Sequence, residues 1–179
     1  MPPRSIVVLR LGHRAFRDKR ITTHVCLTAR AFGASGVYIS GTRDPSLRSS
    51  VEKIVRVWGG GFWVEFVKSP LKAVHDWKAS GGCVAHLTMY GLPLGETVLR
   101  IPKEKDLLVV VGGEKVPPEY FSLSDFNIAV GSQPHSEVAA IAVFLDRVTG
   151  GRWENLKFEN AKLRIVASER GKVVEELDK

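Results

Sequence analysis

The chain has 179 residues, of which 44% are hydrophobic and 25% charged, enough for one packed domain with a small appendage. It has no apolar run of the roughly 18 residues that a membrane span needs, and the opening MPPRSIVVLRLGHR is too arginine-rich and too briefly apolar for a secretory signal. The net charge of +7 is uneven: residues 1–60 hold eleven Lys/Arg against three Asp/Glu, and the remainder fifteen against sixteen, a pattern that points to a polyanion contact on one region.

Residues 6–11 read as a short buried strand centred on Val7, Val8 and Leu9. A basic loop over residues 12–20 follows, so that Arg10, His13, Arg14, Arg17, Lys19 and Arg20 cluster just beyond the strand. Thr22 and Thr23 have the chemistry of helix caps, which predicts a helix over 24–32 ended by Gly33. Arg30 reads as a surface residue of that helix. Cys26 and Cys83 are too far apart for a metal-type pair and read as small core residues in a reducing cytoplasm.

Residues 37–39 form a second strand. Pro45 and Ser46 open a helix in which Leu47, Val51, Ile54, Val55 and Trp58 recur at helical spacing, and the glycines at 59–61 stop it. A strand over 62–67, a helix from Ser69-Pro70 and a strand over 83–87 come next, then a loop over 88–93 and a linking turn over 94–100. His75 and His86 have no partner that the sequence can name, and both read as core or surface residues.

The most informative stretch is 106–151. Five apolar residues, 107–111, stop at Gly112 and Gly113; a second run, 128–130, stops at Gly131; Ser132, Gln133, Pro134 and His135 then lead into a helix from about Ser136. In open α/β sheets ligands bind beyond the carboxyl ends of the strands, and glycine there lets backbone approach a ligand. Ser136 and Glu137 serve equally well as helix cap and first-turn acid. After Gly150-Gly151 the pattern changes: residues 162–167 alternate, 169–172 are turn-like and Val173-Val174 follow, which predicts a β-hairpin. The expected fold is α/β, a mostly parallel sheet with helices on both faces, covering residues 1–151, with 152–179 as a C-terminal hairpin extension.

There is no GxxxxGK[ST] loop, no GxGxxG after a strand, no HExxH, no CxxC and no Gly-x-Ser-x-Gly elbow, so hydrolase and nucleoside-triphosphatase readings lack support. GGEKVP at 112–117 and VGSQPHSEVAAIAVFLDR at 130–147, with RLGHR at 10–14, DKRITTH at 18–24 and TARAFGA at 28–34, resemble the SPOUT (SpoU–TrmD) class of RNA methyltransferases. Within that class they resemble the archaeal tRNA (cytidine-56) 2′-O-methyltransferase family.

The resemblance implies a C-terminal trefoil knot, S-adenosylmethionine as cofactor, no metal, a homodimer in the cytoplasm, and methylation of a ribose in the T loop of tRNA. It carries the cofactor site onto Leu87, Gly112, Gly113, Glu114, Lys115, Val116, Val130, Gly131, Ser132, Gln133, Pro134, His135, Ser136 and Glu137. It places the chemistry of the 2′-hydroxyl on the basic segment after the first strand, with Arg14 the first candidate, Arg10 behind it and His13 the rival; Arg17, Lys19 and Arg20 suit phosphate contacts. RLGHR departs from the wider class pattern, in which asparagine and arginine lie inside the following helix. The other readings are methylation of a different RNA position, a non-catalytic RNA-binding module on the same fold, and a flavin protein.

Overall fold

A computed structural model describes residues 4–113 and 115–177. Six strands, β1 (Ile6–His13), β2 (Gly36–Gly41), β3 (Trp63–Val67), β4 (Cys83–Pro93), β5 (Leu107–Val111) and β6 (Phe126–Ala129), form one sheet in the order β3-β2-β1-β5-β4-β6. Every pairing is parallel. Six helices pack around it: α1 (Ala15–Ala31), α2 (Pro45–Trp58), α3 (Pro70–Ala79), α4 (Leu94–Thr97), α5 (Glu119–Leu123) and α6 (Glu137–Thr149). Strands β7 (Leu163–Val166) and β8 (Val173–Glu176) pair antiparallel as a separate hairpin.

Strand alternation divides the core in two. Ile6 and Val8 of β1 face Val25, Cys26 and Ala29 of α1, Leu47 and Val51 of α2, and Ile141, Phe144 and Leu145 of α6. Val7, Leu9 and Leu11 face the other way, toward Val74 of α3 and Tyr120 of α5. Both layers therefore bury central strands on two sides, which is why 107–111 is continuously apolar. Both thiols are buried; burial pushes Cys26 up to about 12 and Cys83 to about 11, so each stays protonated. No helix of the described residues is long and apolar enough to cross a membrane.

The main departure from the sequence reading is α1, which starts nine residues earlier than predicted. Residues 15–20 are helix, not loop. No cap-type residue precedes Ala15. The Asp18 carboxylate instead accepts the Arg14 N–H at 3.0 Å and places a negative charge in the first turn. Thr22 and Thr23 do not cap. Thr22 meets the His13 ring at 2.9 Å, and the Thr23 hydroxyl donates to the Lys19 carbonyl one turn back.

The 88–93 loop also resolves differently. Leu87 and Leu92 both pair with Ile128, so residues 88–91 leave the ladder and return to it. A Cβ at Gly91 would lie 2.5 Å from the Asn127 carbonyl carbon, and only glycine permits this approach. Ser136 caps α6 as expected, accepting from Val138, and two further caps hold α2 and α3: Asp44 accepts from Ser46 and Leu47, and Ser69 from Lys72, each worth about 1 kcal/mol.

Arg30 is buried, not a surface residue. Its guanidinium donates to the carbonyls of Trp58 at 3.0 Å and Gly59 at 2.7 Å, and lies 4.3 Å from the Phe158 ring centroid. It thereby ties α1, the end of α2 and the approach to the hairpin together. Arg30→Ala should lower unfolding free energy by about 2 kcal/mol, since it leaves two carbonyls without a charged donor; a chaotrope unfolding midpoint equal to the native one would refute this role.

Candidate active site

In a parallel sheet the carboxyl ends of all strands share one edge. Here the ends of β1, β5, β4 and β6 border a cleft of about 770 Å³, inside the range of small-molecule sites. Leu87 from β4, Val111, Gly112 and Gly113 from β5, Lys115 and Val116 from the next loop, and Val130, Gly131, Gln133, Pro134, His135 and Glu137 after β6 all line it. Arg10, Arg14 and Arg17 close it from the β1–α1 side.

The arginines are held differently. Arg10 is 2% exposed, with Nη2 at 2.9 Å from Glu137 Oε1 and Nη1 donating to the Leu11 carbonyl. This pair, a buried guanidinium and a half-buried carboxylate, joins the end of β1 to the first residue of α6 in the lining of the cleft. Removing one partner of such a pair leaves an uncompensated charge. The Arg14 side chain is half exposed, and its Nε and Nη2 donate to the two Asp18 oxygens at 2.9 and 3.2 Å. These hydrogen bonds hold the Asp18 carboxyl below its usual range. Arg14 is therefore a fixed cation on the cleft wall, aimed by a buried carboxylate.

The β5 loop shows how the glycines work. A Cβ on Gly113 would meet nothing nearer than Arg10 Nη1 at 3.9 Å, whereas one on Gly112 would lie 2.1 Å from Val116 Cγ2. Gly113 thus faces open cleft, and Gly112 is a packing position. Gly131 has φ +75° and needs glycine for its backbone conformation.

A profile of the tRNA ribose 2′-O-methyltransferase family (aTrm56) matches residues 58–175. The chain is 59% identical over 177 residues to the tRNA (cytidine(56)-2′-O)-methyltransferase of Methanopyrus kandleri, covering 99% of each. It is 54% identical over 179 residues to the protein of that name from Thermococcus kodakarensis, covering 98% of this chain and 99% of the other. The chain belongs to the tRNA ribose 2′-O-methyltransferase family.

Among solved structures, its fold resembles the TrmH/SpoU tRNA modifying enzyme of A. aeolicus, with a TM-score of 0.63 at 16% identity over 85% of this chain and 77% of the other. It also resembles the SpoU methyltransferase AviRb of Streptomyces viridochromogenes, crystallised with AdoMet, with a TM-score of 0.61 at 18% identity over 85% of this chain and 59% of that one. Likeness at these identities speaks for the fold, an α/β SPOUT fold with a parallel sheet.

In this family member the expected site residues do not all converge. Ser132 lines a second hollow beside Met89, Pro93 and Val143, and Ser136 serves α6 as its cap. Lys19 and Arg20 line a shallow depression on α1 that only Arg17 shares with the cleft. Glu114 lies outside the described residues. His13, the rival to Arg14, is fully buried between α1 and the start of α2: its Nδ1 meets Thr22, its Nε2 stands 3.8 Å from Asp44, and burial lowers its pKa. It does not line the cleft.

Conversely, His86 was read as a plain core or surface residue and does line the cleft. Its ring Nδ1 is 2.9 Å from Asn127 Oδ1, and Asn127 Nδ2 donates to the Phe121 carbonyl at 2.9 Å. That chain makes the Asn127 oxygen an acceptor, so the His86 proton sits on Nδ1 and Nε2 is a bare acceptor. Burial lowers the His86 pKa, which agrees with a neutral ring, and Nε2 has no partner among the described residues. The sequence signal was its place one residue before Leu87 at a strand end.

Proposed function

We propose that this chain transfers a methyl group from S-adenosylmethionine to the ribose 2′-oxygen of cytidine 56 in tRNA. The observation that carries the reading is the meeting of three strand-end segments and the paired Arg14 on one cleft, in a member of the tRNA ribose 2′-O-methyltransferase family. The relatives at 59% and 54% identity bear the name of that reaction.

The residues present fit the cofactor. The segments 112–113 and 130–131 border the cleft and suit an adenine edge, and Leu87, Val111, Val116 and Pro134 offer apolar cover for its faces. The cofactor supplies a methyl group already activated on a sulfonium. The protein's part is to hold the ribose oxygen in line, let its proton pass to water at the open cleft, and stabilise the charge that develops on that oxygen. Arg14, oriented by Asp18, is assigned to that charge. Arg10 and Glu137 fix the cleft wall, and His13 packs between α1 and the start of α2. Arg17, Lys19 and Arg20 take tRNA phosphates.

The same reading includes a knotted chain. In that reading β4 lies between β5 and β6, and residues 88–91 leave the β4–β6 ladder between Leu87 and Leu92. It includes residues 152–179 as an appendage to a methyltransferase domain, with β7 and β8 outside the main sheet. It includes a cytoplasmic homodimer, supported by the exposed Met89, Leu92 and Val143 beside the second hollow; Ile141 and Leu145 belong to the core. A sedimentation mass of one chain at working concentration would end the dimer part.

The test of the function is methylation of unmodified tRNA transcripts with labelled S-adenosylmethionine, followed by mapping of alkali-resistant ribose. One modified residue at cytidine 56 is expected. No transfer, or transfer to a base or another position, would end the reading.

A further inference from the structure

α1 carries a feature that methyl transfer does not use. Phe16, two residues beyond Arg14, is 106% exposed, more open than any other large hydrophobic residue of the described chain. An isolated exposed leucine or valine needs no explanation. A phenylalanine at a helix start, with its whole ring in water, leaves a large burial gain unused.

Its surroundings are cationic. Helical spacing places Lys19 and Arg20 one turn from Phe16 and Thr23 and His24 two turns away, and these residues with Arg17 line one shallow depression of about 420 Å³. Arg17, Lys19, Arg20 and His24 are all exposed. The acid of this helix start, Asp18, is turned inward and paired with Arg14. The depression therefore presents a bare aromatic face ringed by positive groups. Arg17 also lines the cleft, which makes the two sites continuous.

We propose that Phe16 is a stacking platform for an unpaired RNA base next to the nucleotide being methylated, with Lys19 and Arg20 holding the flanking phosphates. The inference rests on the RNA reading above and deepens it. Aromatic faces take up splayed bases of single-stranded RNA because every base has a π-surface, and cations beside them track the backbone. Arg17 borders both the cleft and this depression, so a ribose held in the cleft leaves its neighbouring nucleotide beside the α1 surface that carries Phe16. A second copy of the chain is the rival occupant, and the ring of cations argues against it, because two such surfaces would repel.

The test uses the full-length protein and equilibrium binding, so it does not depend on turnover. Phe16→Ala should weaken binding of tRNA transcript about tenfold, with cofactor affinity and sedimentation mass unchanged. Phe16→Trp should bind like the native chain, and its added indole fluorescence should be quenched by tRNA and by a short unpaired oligonucleotide. Lys19→Ala and Arg20→Ala should each reduce the salt dependence of binding by about one unit of slope, whereas Phe16→Ala should leave that slope as it is.

Native tRNA affinity in Phe16→Ala would overturn the inference. So would a Phe16→Ala protein that loses its native assembly mass, since the ring would then pack on another copy. Quenching in Phe16→Trp by RNA, in a protein that methylates no tRNA, would keep the platform and reject the enzymatic reading. Methylation of tRNA with no effect at Phe16 would do the reverse.

Discussion

Arg14→Ala will lower kcat by about a hundredfold to a thousandfold, the usual effect of removing one charge-stabilising donor, and leave cofactor affinity within about twofold of native. The guanidinium stands on the cleft wall with its Nε and Nη2 fixed by the two oxygens of Asp18. Arg10 cannot take over its charge, because it is bound to Glu137 and Leu11. Asp18→Asn keeps the shape and removes the carboxylate, so it should lower kcat by about tenfold with little change in KM, and Asp18→Glu should recover part of the loss. Arg14→Lys keeps a cation but loses the planar fork, and should fall between native and alanine. It also guards against trivial unfolding, since the alanine variant leaves Asp18 buried without its partner. Turnover of Arg14→Ala within tenfold of native would remove Arg14 from the chemistry.

Gly113→Val will weaken S-adenosylmethionine binding by about a hundredfold, on the scale of a few kcal/mol for forcing a branched side chain into occupied space. The fold should tolerate it. A Cβ at this position meets nothing closer than 3.9 Å, and the backbone is not in the left-handed region. The added methyls project into the space between β5 and the Arg10 guanidinium that a ligand would need. Gly112→Val is the contrast: its Cβ would lie 2.1 Å from Val116 Cγ2, so it should lower the unfolding midpoint first. Calorimetric titration with the cofactor and thermal unfolding of both variants separate the two cases. Native cofactor affinity in Gly113→Val would show that the ligand does not lie along β5.

How legible each part was depends on the range of the forces that set it. The 107–111 strand, the α2 stripe of Leu47, Val51 and Val55, the α6 cap at Ser136 and the hairpin were all readable, because period, caps and turns are local. The start of α1 was not, since its first turn is supported by Asp18 reaching back to Arg14 and not by a cap-type residue. The short α5 carries no apolar period long enough to notice, yet its Tyr120 closes one core layer. Arg30 and His86 looked ordinary because their partners, Trp58, Gly59 and Asn127, lie about thirty or forty residues away along the chain.

The sequence by itself determined that strands and helices alternate, that two strands end in glycine, and that positive charge gathers in the first third. Those are properties of neighbours along the chain, and hydrophobic period and backbone freedom fix them. Only the tertiary structure decided which of the basic residues meet the glycine edges. The parallel order of the sheet sets β1 beside β5, and the inward turn of each side chain then separates Arg10 and Arg14, at the cleft, from His13, sealed behind it.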